Sequence, residues 1–399
     1  MPALLSLLAL AAAAAAAPWR ALVVGGNGRV GGSTVRWLLK RARDESRPLH
    51  VVVGGRSRAN FERLLARLGI APSDGCISFV MCDLEDPASL DAALAGADVC
   101  VHTAGPFQSV ERPTCLEAAV RNRVAYCDVC DNTALAQAGR TAFDEPAMAA
   151  QVPAVLACGI WPGVSALMVS SAALQLPPGE PIDAELSFFT AGTGNAGNAI
   201  VAATFHLLAE PAYCMRDGVA TELPPWTEKR RVTFGAGVGE RSIYLLDNPD
   251  VFTLSNSKQL AGRIRTISSR FGTAPQVWNE LFGVVALAPH SLLLNRPAMA
   301  LAAGFSEPII RLVDKLVGAT NAMRVDLRAG KRSVTAELVH PDLEDCVGLA
   351  TSAFAWELLR GTVPTGVRYA CELAGTEAGE QILENAKRGG EWRFKITDS

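Results

Sequence analysis

Ala21-Leu22-Val23-Val24-Gly25-Gly26-Asn27-Gly28-Arg29-Val30-Gly31-Gly32 is a short apolar strand that runs directly into G-x-G-x-x-G (Gly26, Gly28, Gly31) and then into a helical pattern. Each glycine answers a separate steric demand. Gly26 makes the tight turn, Gly28 lets backbone approach a pyrophosphate, and Gly31 lets the helix pack close to the strand. The start of that helix offers unpaired N–H groups and partial positive charge to phosphates, with Asn27 and Arg29 beside them.

Alone, the motif is weak; here it opens a longer pattern. After Ala21–Gly25, strand candidates follow at His50–Gly54, Ser78–Cys82, Val99–Ala104, Val124–Asp128 and Ala154–Cys158. They read as apolar runs (VVV, FVM, VCV), which suits strands covered on both faces. Helical stretches such as Gly31–Arg43, Arg58–Leu68 and Arg112–Arg121 fill the gaps. This alternation predicts an α/β fold, a Rossmann-type doubly wound parallel sheet over residues 19–160.

At 399 residues the chain exceeds one ordinary core, and a second domain is expected over 161–399. Helical Val164–Leu176 ends at Pro177-Pro178-Gly179. Strands are expected at Ala184–Thr190, Arg231–Phe234, Ser242–Leu245, Met323–Arg328, Ser333–His340, Val367–Leu373 and Glu391–Ile396, and helices at Glu344–Arg360 and Gly375–Lys387. This α+β layout suits a substrate-binding or homodimer-forming domain, and the C-terminal helix is open to returning to the first domain. Gly192-Thr193-Gly194-Asn195-Ala196-Gly197 is a second glycine run, but no buried strand follows its helical stretch. We read it as a tight loop in which Gly194 faces the cleft. Leu281–Phe305 is a long apolar stretch interrupted by His290, Asn295, Arg296 and Pro297. It reads as a helical hairpin buried in the second domain, with a substrate lid or a membrane-surface anchor as alternatives.

The end of the second strand decides the cofactor. An NAD site places Asp or Glu there for the ribose hydroxyls. This chain has Gly54-Gly55-Arg56-Ser57-Arg58. The Arg56 guanidinium is suited to a 2′-phosphate, Ser57 adds a short donor, and Arg29 is within reach, so the cofactor is expected to be NADP(H). Asp83 ends the third strand, where a carboxylate can meet the adenine amino group. Ala104 and Gly105 follow the fourth strand and are small enough to let a cofactor pass. His102, inside that strand, reads first as a hydrogen-bonded core histidine and second as a catalytic group. Asp128, Asp131 and Asn132 are the other catalytic candidates at the cleft mouth; spacing alone assigns none of them as proton donor.

GGNGRVG, the GGRS turn, HTAGPF, AYCDVCDN and Cys158-Gly159-Ile160-Trp161-Pro162-Gly163 together resemble the saccharopine dehydrogenase-like oxidoreductases. The likeness covers most of Arg20–Met168 and weakens towards the end of the chain. It implies that Gly26, Gly28, Gly31, Arg56, Asp83, Ala104 and Gly105 serve NADP(H). It also implies an Asp where this chain has Trp161. An indole makes that wall of the substrate pocket flat and apolar, so the amino-acid activity is not expected to carry over. An apolar carbonyl or enoyl substrate is expected instead, with a catalytically silent NADP(H)-binding scaffold or sensor as the alternative.

Composition narrows the rest. Apolar residues make up 49% and charged residues 19%, and the formal net charge of −3 gives no general attraction to nucleic acid. Ten cysteines are present, several inside apolar runs, where a thiol behaves as a small buried hydrophobe. That fits an intracellular, reducing compartment. Cys127-Asp128-Val129-Cys130 spells C-x-x-C without a partner pair; it reads as a strand end lining the cleft, and no metal is expected. Met1–Ala17 is uncharged and rich in Leu and Ala. Residues 1–18 read as a targeting segment, plastid or other organelle included, as a frayed helix, or as a misplaced start.

Overall fold

The computed structural model describes residues 17–398 apart from 72, 109, 193–203 and 261. Residues 1–16 and Gly194 lie outside the described residues, so the readings placed on them are not addressed by the fold.

The first sheet holds β1 (Trp19–Val24), β2 (Leu49–Gly55), β3 (Ile77–Met81), β4 (Val99–His102), β5 (Ala125–Asp128) and β6 (Pro153–Leu156). They run in parallel in the order β6-β5-β4-β1-β2-β3. β1, β2 and β4 are almost wholly buried, as their unbroken apolar runs require. Three of the connecting helices start on short polar caps: Ser57 for Arg58–Leu68, Asp86 for Pro87–Leu94 and Asn132 for Thr133–Ala149. The order reverses direction between β1 and β4, and there a ligand crevice opens.

The second sheet has nine strands: β7 (Ile182–Ala191), β8 (Ala212–Arg216), β9 (Val219–Leu223), β10 (Arg230–Phe234), β11 (Gly239–Leu245), β12 (Ile264–Ala274), β13 (Thr320–Ala329), β14 (Arg332–His340) and β16 (Glu391–Asp398). Its main order is β10-β11-β12-β7-β13-β14-β16, with β8 on β12 and β9 on β8. β12 pairs in parallel with β7 over nearly its whole length. Neither β12 nor the β8–β9 hairpin was expected from sequence. β12 reads IRTISSRFGTA, which looks polar and solvated, yet Ser268, Ser269 and Arg270 are buried in it.

The intervening β15 (Gly366–Tyr369) corrects an expectation. The strand placed at Val367–Leu373 of the second domain pairs with β6 and extends the first sheet to seven strands. The helix before it, Leu343–Arg360, also belongs with the first sheet and packs along Arg29–Asp44. The fit is close: a Cβ on Gly348 would lie 2.4 Å from Ser33 Oγ. Asp345 accepts hydrogen bonds from Ser33 Oγ at 3.1 Å and Trp37 Nε1 at 2.6 Å. The chain therefore leaves the first sheet after β6, builds the second, and returns. One continuous core spans both sheets.

The Leu281–Phe305 stretch is not a buried hairpin. It falls on helices Gln276–Val285, His290–Leu293 and Arg296–Val317. Leu293, Met299 and Ala303 turn inwards, but Leu281, Val284, Leu301 and Ile309 are exposed, and Leu287 and Phe305 are 85% and 83% exposed. Across these three helices the exposed apolar side chains have no cover among the described residues. Among the described residues no helix is long and apolar enough to cross a membrane.

Candidate functional site

A cleft of about 1210 Å³ opens at the carboxyl ends of β1–β5. The glycine loop, the ends of those strands, the Gly159–Pro162 turn and the start of the returning helix wall it.

The glycine loop departs from the sequence reading by one position. Gly25, not Gly26, takes the left-handed conformation, with φ +78°, and a Cβ on it would lie 2.8 Å from Ala104. Gly31 has the expected close approach, since a Cβ there would meet the Gly25 carbonyl oxygen at 2.4 Å and Thr103 Oγ1 at 2.5 Å. Gly28 is different. It caps the Arg29–Asp44 helix in an ordinary extended conformation without a side-chain cap, and its hypothetical Cβ meets one atom, the Gly25 carbonyl oxygen, at 3.1 Å. The helix start thus faces the cleft with its first N–H groups available to an anion.

Asn27 ties this loop to the next by donating from Nδ2 to the Ser57 carbonyl at 3.1 Å, and its Oδ1 is buried without a partner. Ser57 Oγ accepts the Asn60 N–H, so it caps its helix as well as lining the cleft. Arg56 is exposed on the cleft wall and has no ion-pair partner among the described residues. Arg29 also lines the cleft, with its guanidinium 3.8 Å from Glu344 on the returning helix. Asp83, Ala104 and Gly105 complete this side. Sequence reading missed Arg67, which donates to the Gly28 carbonyl at 3.0 Å and steadies the loop; in the last turn of its helix it resembled any surface cation. An orphaned amide oxygen, an uncapped helix start and an unpaired guanidinium fit a phosphorylated dinucleotide. NADP(H) would supply hydride chemistry there, and these residues would hold and orient it.

The floor of the cleft comes from β4 and β5. Parallel register sets His102 beside Asp128, and the two-residue period puts Tyr126 on the same side. His102 Nδ1 lies 3.2 Å from Tyr126 Oη, and Tyr126 Oη lies 3.0 Å from Asp128 Oδ2. Asp128 Oδ1 accepts the Ala157 and Cys130 N–H groups at 2.8 and 3.1 Å. Burial pushes the Asp128 carboxyl up to about 6, against the pull of these bonds, and holds the His102 imidazole down at about 4. Asp131 lines the same cleft, and burial raises it to about 6 despite a bond to Gln108. Tyr126 went unnoticed in the sequence because it reads as an ordinary strand aromatic.

Asn132 is not part of the cleft wall. Its Oδ1 accepts the Leu135 N–H at 2.8 Å as a helix cap, and its Nδ2 donates to Glu210 at 2.9 Å. Both ends of the amide are occupied by structure. The C-x-x-C thiols have separate surroundings: Cys127 is paired with Cys158, while Cys130 packs with Phe107 and Leu135. All ten cysteines are free.

Trp161 lies at the junction of the two sheets and lines the cleft. Its indole stacks on Phe188, with centroids 5.0 Å apart and planes at 20°, and donates from Nε1 to Asn321 Oδ1 at 3.1 Å. Behind it, buried Asp250 accepts the Gly163 N–H at 3.1 Å and bonds Ser165, which pins the turn that carries the tryptophan.

Residues 21–155 match the family described as the saccharopine dehydrogenase NADP binding domain. Over those residues the first sheet is therefore an NADP-binding domain of that type. A saccharopine dehydrogenase-like oxidoreductase of Rattus norvegicus is 26% identical over 119 residues, which is 28% of this chain and 28% of that protein. The match thus spans little more than a quarter of the relative. The apo saccharopine dehydrogenase (L-Glu forming) of Saccharomyces cerevisiae superposes with a TM-score of 0.64 at 13% identity, covering 95% of this chain and 100% of that one. That likeness shows a shared two-sheet fold.

Arg56 makes a direct test of cofactor choice. Charge-assisted bonds are worth about 1.5–3 kcal/mol, or roughly tenfold or more in affinity. NADPH should therefore bind at least about tenfold more tightly than NADH, and Arg56→Asp should erase the difference. Equal affinities in the wild-type protein, measured by fluorescence titration, would remove Arg56 from the phosphate site.

Proposed function

We propose that this protein is an NADP(H)-dependent oxidoreductase that reduces an apolar carbonyl or enoyl compound and does not turn over saccharopine. Trp161 carries the reading. Its ring presents a flat apolar face backed by Phe188, and its one polar atom is taken by Asn321. Ammonium and carboxylate groups set against that face lose water without gaining partners, at a cost of about 1–3 kcal/mol for each unpaired polar group. An alkyl chain gains instead, by roughly 0.8 kcal/mol per buried methylene. The free thiols support a reducing, intracellular compartment, organelles included.

The test is NADPH oxidation with straight-chain aldehydes, ketones and enoyl compounds of rising length. We expect kcat/KM to rise by about fourfold per added methylene until the pocket is filled, with saccharopine inert. Saccharopine turnover at comparable rates, or activity indifferent to chain length, would refute this view of the pocket. One observation favours a second reading, a silent NADP(H)-binding scaffold resting on lipid or a partner: the exposure of the apolar side chains Leu287, Leu301 and Phe305. No NADPH consumption with any compound in the panel, together with flotation of the protein on neutral phospholipid vesicles, selects that reading.

A further inference from the structure

The hydrogen bonds on the cleft floor are directional, and their directions are coupled. Tyr126 has one hydroxyl hydrogen and two neighbours, His102 Nδ1 at 3.2 Å and Asp128 Oδ2 at 3.0 Å. When Asp128 is ionised, Tyr126 donates to it and accepts from His102 Nδ1–H, which leaves Nε2 as a bare lone pair. When Asp128 is protonated, its O–H donates to Tyr126, Tyr126 donates to Nδ1, and the imidazole hydrogen sits on Nε2. The far end of the chain is unused by the fold: Nε2 is buried and has no hydrogen-bond partner among the described residues, while His102 lines the cleft. The near end is fixed, because two backbone N–H groups hold Asp128 Oδ1.

We propose that Asp128, Tyr126 and His102 form a proton relay whose outlet is His102 Nε2, serving the oxygen of a carbonyl reduced in the cleft. The choice of a carbonyl rests on the function proposed above; the relay does not. Bound NADPH would supply the hydride to the carbonyl carbon, and the carbonyl oxygen would take its proton from Nε2–H. Nδ1 then takes the Tyr126 proton, and Tyr126 takes the Asp128 proton. Imidazole and phenol end neutral, Asp128 ends as a carboxylate, and it regains its proton from solvent.

The surroundings suit this division of labour. Burial keeps the His102 imidazole neutral, against a smaller opposing pull from the Ala104 backbone, and pushes the Tyr126 phenol well above its usual range. The groups facing Asp128 are Tyr126 on its own strand, Cys130 and Asp131 in the turn beyond, His102 on β4, Cys115 on the Thr114–Arg121 helix and Cys158 after β6. None of them is a cation, so desolvation leaves Asp128 as the member that titrates close to neutrality.

The experiment reads the tautomer directly. Long-range proton–nitrogen spectra of histidine-labelled protein are recorded from pH 5 to 8, with His102 assigned by its absence in His102→Gln. We expect a neutral ring throughout, passing from Nε2–H to Nδ1–H as pH rises, with a midpoint near 6. Tyr126→Phe should abolish the transition and lower kcat, with KM and NADPH affinity unchanged. In the wild-type enzyme, single-turnover reduction should fall by about tenfold per pH unit above the midpoint. One fixed tautomer across the range, or a transition that survives Tyr126→Phe, overturns the relay. A tautomer switch with no turnover of any carbonyl overturns the carbonyl assignment and leaves the relay standing.

Discussion

Gly28→Val should weaken NADPH binding by more than about 100-fold, or roughly 2.7 kcal/mol, in a chain that still folds. The fold is expected to survive because Gly28 sits at φ −71° and ψ −176°, where any residue is comfortable, and a Cβ meets one atom at 3.1 Å. Binding is expected to fail because the added branches stand at the uncapped start of the Arg29–Asp44 helix, on the cleft wall. Dinucleotide loops use a glycine at this position because backbone must come close to the pyrophosphate. Titration with NADPH alongside a thermal melt followed by circular dichroism separates the two effects. Affinity within a few-fold of wild type would mean that the phosphates bind elsewhere. Gly31→Val is a poor substitute, since contacts of 2.4 and 2.5 Å would distort the loop whether or not anything binds there.

Glu185→Ala should destabilise the protein by about 3–5 kcal/mol, the usual effect of stripping one partner from a buried ion pair. Arg270 is wholly buried in β12, and its guanidinium reaches Glu185 on β7 and Glu228 in the loop before β10. It also donates from Nη1 to Ser268 Oγ at 2.9 Å and from Nε to the Glu228 carbonyl at 3.1 Å. Without Glu185 the cation keeps a single carboxylate, and Arg230, which lies 3.0 Å from Glu185, loses its partner too. A lower urea midpoint with NADPH affinity retained is the expected outcome. A loss below about 1 kcal/mol would show that water or a rearranged Glu228 replaces the missing charge.

The first sheet was legible because local and global demands coincide there. Strands covered on both faces must be apolar throughout, so VVV and VCV announce themselves. Three of the helices between them carry short polar caps. β12 was illegible for the opposite reason. Its Ser268 and Arg270 satisfy their polar groups through β7 and the loop before β10, and nothing in IRTISSRFGTA signals that these partners exist. The same applies to Leu281–Phe305: its apolar content is plain in the sequence, but which side chains are covered depends on how three helices sit against the second sheet.

The site divides along the same line. The sequence by itself determined the glycine loop, the arginine after β2 and the small residues after β4, because each is a local steric or charge requirement of one strand–turn unit. It also singled out Trp161 as a departure in composition. Only the tertiary structure decided that Gly25 takes the left-handed turn, that Asn132 is consumed as a cap, and that Arg29 faces Glu344. It alone joined His102, Tyr126 and Asp128 into one chain, because β4 and β5 are separated by a helix in sequence and meet only through parallel register. Hydrogen bonds between strands depend on that register, and register is set by the packing of the whole sheet.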